Sequence, residues 1–168
     1  ILWEFLYTKY QNGPHPASKI PGKSGQKNYY NNVLYQSGWT YYGRTIGNPL
    51  LFPSRDESLI LDGRRIANSR VVAHHIGLEG TILNRLSYQT MFTYSRNYGT
   101  YQNRNIAEQK GIAYLFEGGA EQFSFFFNIE AVLPVTKQPV LSASVGVDWG
   151  EVHPVNTGLM LGISWDIF

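Results

Sequence analysis

The chain contains no cysteine, which excludes a disulfide framework and thiol chemistry. It has no run of about 18 apolar residues, the length a membrane-crossing helix needs. Charge is also scarce: 15% of residues are charged, against roughly 25% in an ordinary soluble domain. The formal net charge of +2 comes without the basic run that tracks a phosphate backbone, so no nucleic-acid partner is expected. No HExxH motif, Cys/His cluster or acidic calcium loop is present, so no metal or cofactor is expected. No GxSxG elbow occurs either. The expected role is therefore non-enzymatic, with no catalytic residue assigned. A Ser–His–acid set assembled from distant strands is the enzymatic alternative.

What the sequence does have is aromatic residues and glycine. Aromatics make up 15% of the chain, with 12 Tyr, 9 Phe and 4 Trp, alongside 17 Gly in 168 residues. That composition suits β-structure with a large non-aqueous contact surface. Period-2 alternation follows. In "EQFSFFFNIEAVL", Phe123, Phe125, Phe127, Ile129, Ala131 and Leu133 alternate with Ser124, Phe126, Asn128, Glu130 and Val132. In "VLSASVGVDWG", Leu141, Ala143, Val145, Val147 and Trp149 alternate with Ser142, Ser144, Gly146 and Asp148. "LMLGISWDIF" places Leu159, Leu161, Ile163, Trp165 and Ile167 on one face. "VVAHHIGLEGTIL" and "LSYQTMFTYS" repeat the pattern less strictly, and "GIAYLFE" at 111–117 is expected to continue it. "EGGAE", "PVTKQP" and "GEVHPVN" read as short hairpin connections.

Run length chooses between a protein core and lipid as the cover of the apolar face. A tilted strand needs roughly 9–11 residues to cross a bilayer, whereas strands of globular proteins are commonly about 5–6. Several runs here are of the longer kind, and aromatics such as Trp3, Tyr7, Tyr88, Tyr94, Trp149 and Trp165 gather near strand ends, as interfacial girdles do. The expected fold is all-β: an antiparallel transmembrane β-barrel, with about eight or nine strands in this chain. Residues 1–168 are read as one barrel domain or the C-terminal part of one. Ile1 already sits inside the alternating "ILWEFLYTK", so the chain reads as the end of something longer. A soluble barrel or sandwich, its stripe covering an inner core, is the water-borne alternative.

Residues 10–57 keep no sustained period and are rich in Pro, Gly, Asn, Lys and Tyr; they are expected to form a long irregular loop or plug. Within them, Tyr29, Tyr30, Asn31, Asn32, Trp39, Tyr41, Arg44 and Asn48 are the candidate carbohydrate ligands. Aromatic faces stack on the apolar faces of sugar rings, while Asn and Arg meet hydroxyls and carboxylates. The competing reading is that these aromatics pack the loop into a barrel mouth. "GRTIGNP" lacks phosphate-loop spacing and reads as a turn. His74 and His75 are adjacent, so on a strand they point to opposite faces and cannot share a metal. Arg64 and Arg65 read as a charged turn, or as lumen charge for an acidic polysaccharide.

The block "YYNNVLYQSGWTYYGRTIGNPL", with "LWEFLYTKYQNGP" before it, resembles the Wzi-like capsule assembly family. The resemblance covers roughly residues 1–50; beyond them it rests on barrel-like strands and on a terminal strand ending in Phe168, with which Ile163, Trp165 and Ile167 are out of phase. It implies a bacterial outer-membrane barrel of about 18 strands, of which this chain is a C-terminal part. The remaining strands would come from the same or another chain. It also implies binding of surface or capsular polysaccharide and a role in anchoring or assembling it, with outer-membrane lipids as the other partner. An outer-membrane channel or porin with a loop plug is the alternative function.

Overall fold

The computed structural model describes residues 1–10, 30–31, 34–35, 37–53, 63–135 and 138–165. Ten strands and one helix follow in chain order: β1 (Leu2–Tyr7), β2 (Thr40–Tyr41), β3 (Arg44–Thr45), β4 (Phe52–Pro53), β5 (Ile66–Asn68), β6 (Val71–Ile82), β7 (Leu86–Asn97), α1 (Tyr101–Lys110), β8 (Ala120–Val132), β9 (Val140–Gly150) and β10 (Asn156–Ser164). Six of them form one sheet in the order β1-β6-β7-β8-β9-β10, and β2-β3 and β4-β5 are separate two-stranded ladders. The protein is thus mostly β-structure with one short helix, and the β2–β3, β4–β5, β8–β9 and β9–β10 ladders are antiparallel. Among the described residues the large sheet is open, with β1 and β10 as its edges. Ile167 and Phe168 lie outside the described residues.

Two compact units emerge. The long-strand unit comprises Ile1–Phe5, His74–Tyr94 and Gln122–Phe168; the connecting unit comprises Leu6–Ala73 and Ser95–Glu121.

In the long-strand unit, register makes the sequence alternation into two faces. Phe123 pairs with Trp149, Phe125 with Val147, Phe127 with Val145 and Ile129 with Ala143. Across the next ladder Leu159 pairs with Val145, Leu161 with Ala143 and Ile163 with Leu141. Because residues directly opposite share a face, the Phe127–Val145–Leu159 and Ile129–Ala143–Leu161 rows are apolar from β8 to β10, while the Phe125–Val147 row ends on Thr157. The intervening rows, Ser124–Asp148–Asn156 and Asn128–Ser144–Met160, form the polar face. Aromatic contacts extend the apolar face to earlier strands: Phe92 and Tyr94 meet Phe123 at ring separations of 6.3 and 5.2 Å. Phe123 stacks on Trp149 at 5.5 Å.

The two histidines separate as strand geometry requires. His74 lies against Phe5 at 5.0 Å and Trp3 at 6.1 Å, while His75 shares a 2.6 Å hydrogen bond with Thr93 on the other face.

Burial in this unit is inverted relative to a water-soluble sheet. Its buried described residues are Gly77, Gln122 and Ser144; no larger apolar side chain in it is buried. Leu159 and Leu161 are 82% and 85% exposed. On the polar face Ser144 donates to Asn128 at 2.8 Å and Asn128 to Glu130 at 3.2 Å, while Gln122 accepts from the Val152 and His153 amides at 3.2 and 3.0 Å.

The connecting unit has an ordinary core, to which Leu51, Ile66, Val71, Ala107, Tyr114 and Phe116 contribute. At its centre stands a polar network. Asn68, fully buried, donates to the Leu50 carbonyl at 3.1 Å and to Asn97 Oδ1 at 2.7 Å, and accepts from the Gly99 amide at 3.0 Å. Asn97 in turn donates to the Ala120 carbonyl at 3.2 Å. Gly99, at φ +60°, has no room for a Cβ beside the Tyr114 hydroxyl.

The strand expected at 111–117 is not formed: α1 occupies 101–110 and turns follow it. Thr100 caps the helix by accepting from the Asn103 amide at 3.2 Å. Gly111, left-handed at φ 63°, closes it against the Ala107 and Glu108 carbonyls. The turns bury Tyr114 and Phe116 and leave Leu115 between them exposed, but Ile112, of the same parity as the buried pair, is exposed too.

Burial pushes the Tyr114 hydroxyl up from the ordinary 10.0 to about 12. An unfolded tyrosine ionises before the folded one does, so this stability is full below pH 10 and is lost as pH rises through about 12. Stability is expected to fall by about 1.4 kcal/mol per pH unit across that window. Urea titrations of wild type and Tyr114→Phe check this: the variant should have the shallower slope.

Candidate functional site

The candidate carbohydrate residues resolve into two groups. In the β2–β3 hairpin, Thr40 pairs with Thr45 and Tyr41 with Arg44. Tyr42 and Gly43 turn the chain at φ 47° and 72°, the paired positive angles of a tight hairpin turn. The Ile46 amide donates to the Trp39 carbonyl at 3.0 Å, so the ladder continues one pair further. Alternation then places Trp39, Tyr41, Arg44 and Ile46 on one face. Trp39 is 60% and Tyr41 69% exposed, and Tyr42 crosses Tyr41 edge-on at 4.6 Å. Two exposed aromatic rings beside an exposed guanidinium make a surface that stacks on a sugar and hydrogen-bonds its substituents.

The other group holds the loop in place. Asn31 donates to the Ile66 carbonyl at 2.9 Å and accepts from the Ile66 amide at 3.1 Å, behaving as a strand partner. Asn48 accepts from the Leu50 amide at 2.9 Å, a local turn bond of the kind Asn commonly makes. The Tyr30 carbonyl receives the Trp39 amide at 2.8 Å, which ties the hairpin base. Tyr29 and Asn32 lie outside the described residues. The exposed platform is therefore Trp39, Tyr41 and Arg44, with Tyr42 beside them at the turn. Arg64 and Arg65 lie in the segment leading into β5.

The polar face of the long-strand unit holds a second feature that pattern reading missed. Gly146 and Gly158 are opposite one another and leave a groove of about 400 Å³, bordered by His75, Thr93, Phe126 and the Ser124–Asp148–Asn156 row. Absence of side chains at the two glycines opens it, and mixed donors and acceptors line it. Its lining is mixed: Met91, Phe125, Phe126 and Val147 stand beside the polar His75, Thr93, Ser124, Asp148 and Asn156.

Among the described residues no group of His, Cys, Asp or Glu is arranged to hold a metal ion. No helix of the described chain is long and apolar enough to cross a membrane, which leaves strands untouched by the criterion. Comparison with protein-family models, curated proteins and solved structures finds no match.

Proposed function

We propose that this chain supplies strands of a transmembrane β-barrel in a bacterial outer membrane and binds surface polysaccharide through the β2–β3 hairpin. One observation carries the membrane part: the long-strand unit buries none of its larger apolar side chains, yet lines up Leu159, Leu161, Ile163, Phe127 and Val145 on a single uncovered face. In water such a face exceeds the patch that a monomer commonly tolerates; in a bilayer it is the required outer surface. Backbone groups at the edges β1 and β10 must also be paired in lipid, so further strands complete the barrel. Connection lengths agree in part: residues 83–85 and 133–139 at one end are short and 98–119 at the other end are long, although 151–155, between β9 and β10 at that same end, are also short. Short turns at one end and long loops at the other are the habit of such barrels.

The hairpin carries the polysaccharide part, and the resemblance of residues 1–50 to capsule assembly proteins points the same way. Trp39→Ala and Tyr41→Ala are each expected to weaken retention on immobilised capsular polysaccharide by about threefold to tenfold, the worth of one aromatic contact. Far-UV circular dichroism should not change. Undiminished retention in both variants would remove the hairpin from the site. A plugged channel would instead be revealed by ion conductance in planar bilayers after deletion within residues 10–57.

A further inference from the structure

Four cations gather in the connecting unit, and among the described residues no carboxylate acts on the buried one, Arg70. Lys9 Nζ sits 3.9 Å above the Tyr98 ring, and the Arg70 and Arg96 guanidinium carbons lie 5.9 Å from the same ring. Arg70 also stacks on Tyr101 at 3.7 Å. It is 7% exposed and donates to neutral groups, the Lys9 carbonyl at 3.0 Å and the Tyr98 carbonyl at 3.3 Å. Arg96 donates to the Gly118 carbonyl at 2.9 Å. Arg104, exposed, is close enough to Arg70 to disfavour its charge, and burial does so more strongly. Like charges held together around a largely buried guanidinium cost free energy unless an anion completes them.

The position of the cluster in sequence identifies the anion. Along β7 one parity reads Phe92, Tyr94, Arg96: apolar ring, amphipathic ring, cation. Arg70 immediately precedes β6, and Lys9 follows β1. Membrane-crossing strands carry aromatic girdles at the interface, and basic side chains there reach the phosphates of the headgroups.

We propose that Lys9, Arg70, Arg96 and Arg104 bind the phosphate of an anionic lipid headgroup where the strands leave the bilayer. This rests on the membrane reading above. The accessible donors are on Arg96, Arg104 and Lys9; Arg70 supplies fixed positive potential beneath them and holds the Lys9 and Tyr98 backbone.

The test uses the full chain in neutral detergent, with native mass spectrometry and thermal unfolding after addition of phosphatidylglycerol, phosphatidylcholine or inorganic phosphate. Wild type is expected to retain phosphatidylglycerol over phosphatidylcholine by about fivefold or more and to unfold at a higher temperature with it, as a basic cluster near a headgroup implies. The combined Lys9→Gln, Arg96→Gln, Arg104→Gln variant should lose that preference while keeping its β-signal. If the combined variant does not fold, Arg104→Gln alone, an exposed change, must lower the preference. Equal retention of the two lipids, or an unchanged preference in the variants, overturns the proposal. An equal thermal shift with inorganic phosphate, or stronger binding of polygalacturonate than of phosphatidylglycerol at these residues, overturns the lipid assignment. A chain that folds without detergent and takes up neither lipid contradicts the membrane reading itself. A chain that needs lipid or detergent yet retains both lipids alike contradicts only this inference.

Discussion

Leu161→Arg is expected to destabilise the chain in a bilayer by about 2–4 kcal/mol, the cost of arginine at mid-depth on a lipid-facing strand. Leu161 is paired with Ala143 near the centre of the β9–β10 ladder and is 85% exposed. In a water-facing sheet the same exposure makes the change nearly neutral, within about 0.5 kcal/mol. Met160→Arg is the internal control. Met160 is adjacent in sequence, also exposed at 64%, but pairs with Ser144 on the polar face. Urea unfolding in lipid vesicles should show a large loss for position 161 and a small one for position 160. Equal small effects at both sites would mean that water, not lipid, covers the Leu161 face. The comparison is informative because size, charge and exposure are similar, and only the face of the strand differs.

Asn68→Leu is expected to cost about 3 kcal/mol or more, in a region that lipid does not explain. Asn68 answers three buried partners at once: the Leu50 carbonyl, the Asn97 side chain and the Gly99 amide. A leucine of similar volume fills the space but satisfies none, and each buried polar group left without a partner costs about 1–3 kcal/mol. Asn97 would also lose its role as a bridge between Asn68 and the Ala120 carbonyl. A lowered urea midpoint with an unchanged slope would fit; a midpoint within error of wild type would mean that water or a rearranged side chain replaces Asn68. Thr8→Val, removing the hydroxyl bonded to Ser69 and Val71, should cost less, because fewer groups are orphaned.

The long strands β6 to β10 were legible because period-2 alternation over a long run leaves no other regular structure that separates the two residue sets. The ladders agree with it row by row: Phe127–Val145–Leu159 is apolar and Asn128–Ser144–Met160 is the alternate face. Helix α1 was not legible from apolar spacing, since its buried residues are Tyr101, Asn103 and Ala107 and a buried asparagine leaves no hydrophobic stripe to detect. Its ends were readable in retrospect: Thr100 before it and Lys110–Gly111 at its close are ordinary cap residues. That helix and the turns after it displaced the strand expected at 111–117.

The candidate site was half legible for a similar reason. Trp39, Tyr41 and Arg44 stand exposed as expected. Asn31 and Asn48 spend their amides on backbone groups, and sequence does not distinguish an asparagine that caps a turn from one that greets a ligand. The cation cluster escaped pattern reading altogether: Lys9, Arg70 and Arg96 are scattered in sequence, and only folding gathers them around Tyr98 and Tyr101, with Arg104 acting on Arg70.

The most direct measurement is far-UV circular dichroism of the purified chain as detergent is removed, with and without added phospholipid vesicles. A transmembrane sheet keeps its β-signal only when lipid or detergent is present, and the chain should float with the vesicles. A folded, monomeric chain in plain buffer, sedimenting apart from the vesicles, would contradict it and make the Leu159–Leu161–Ile163 face a surface of a water-soluble protein.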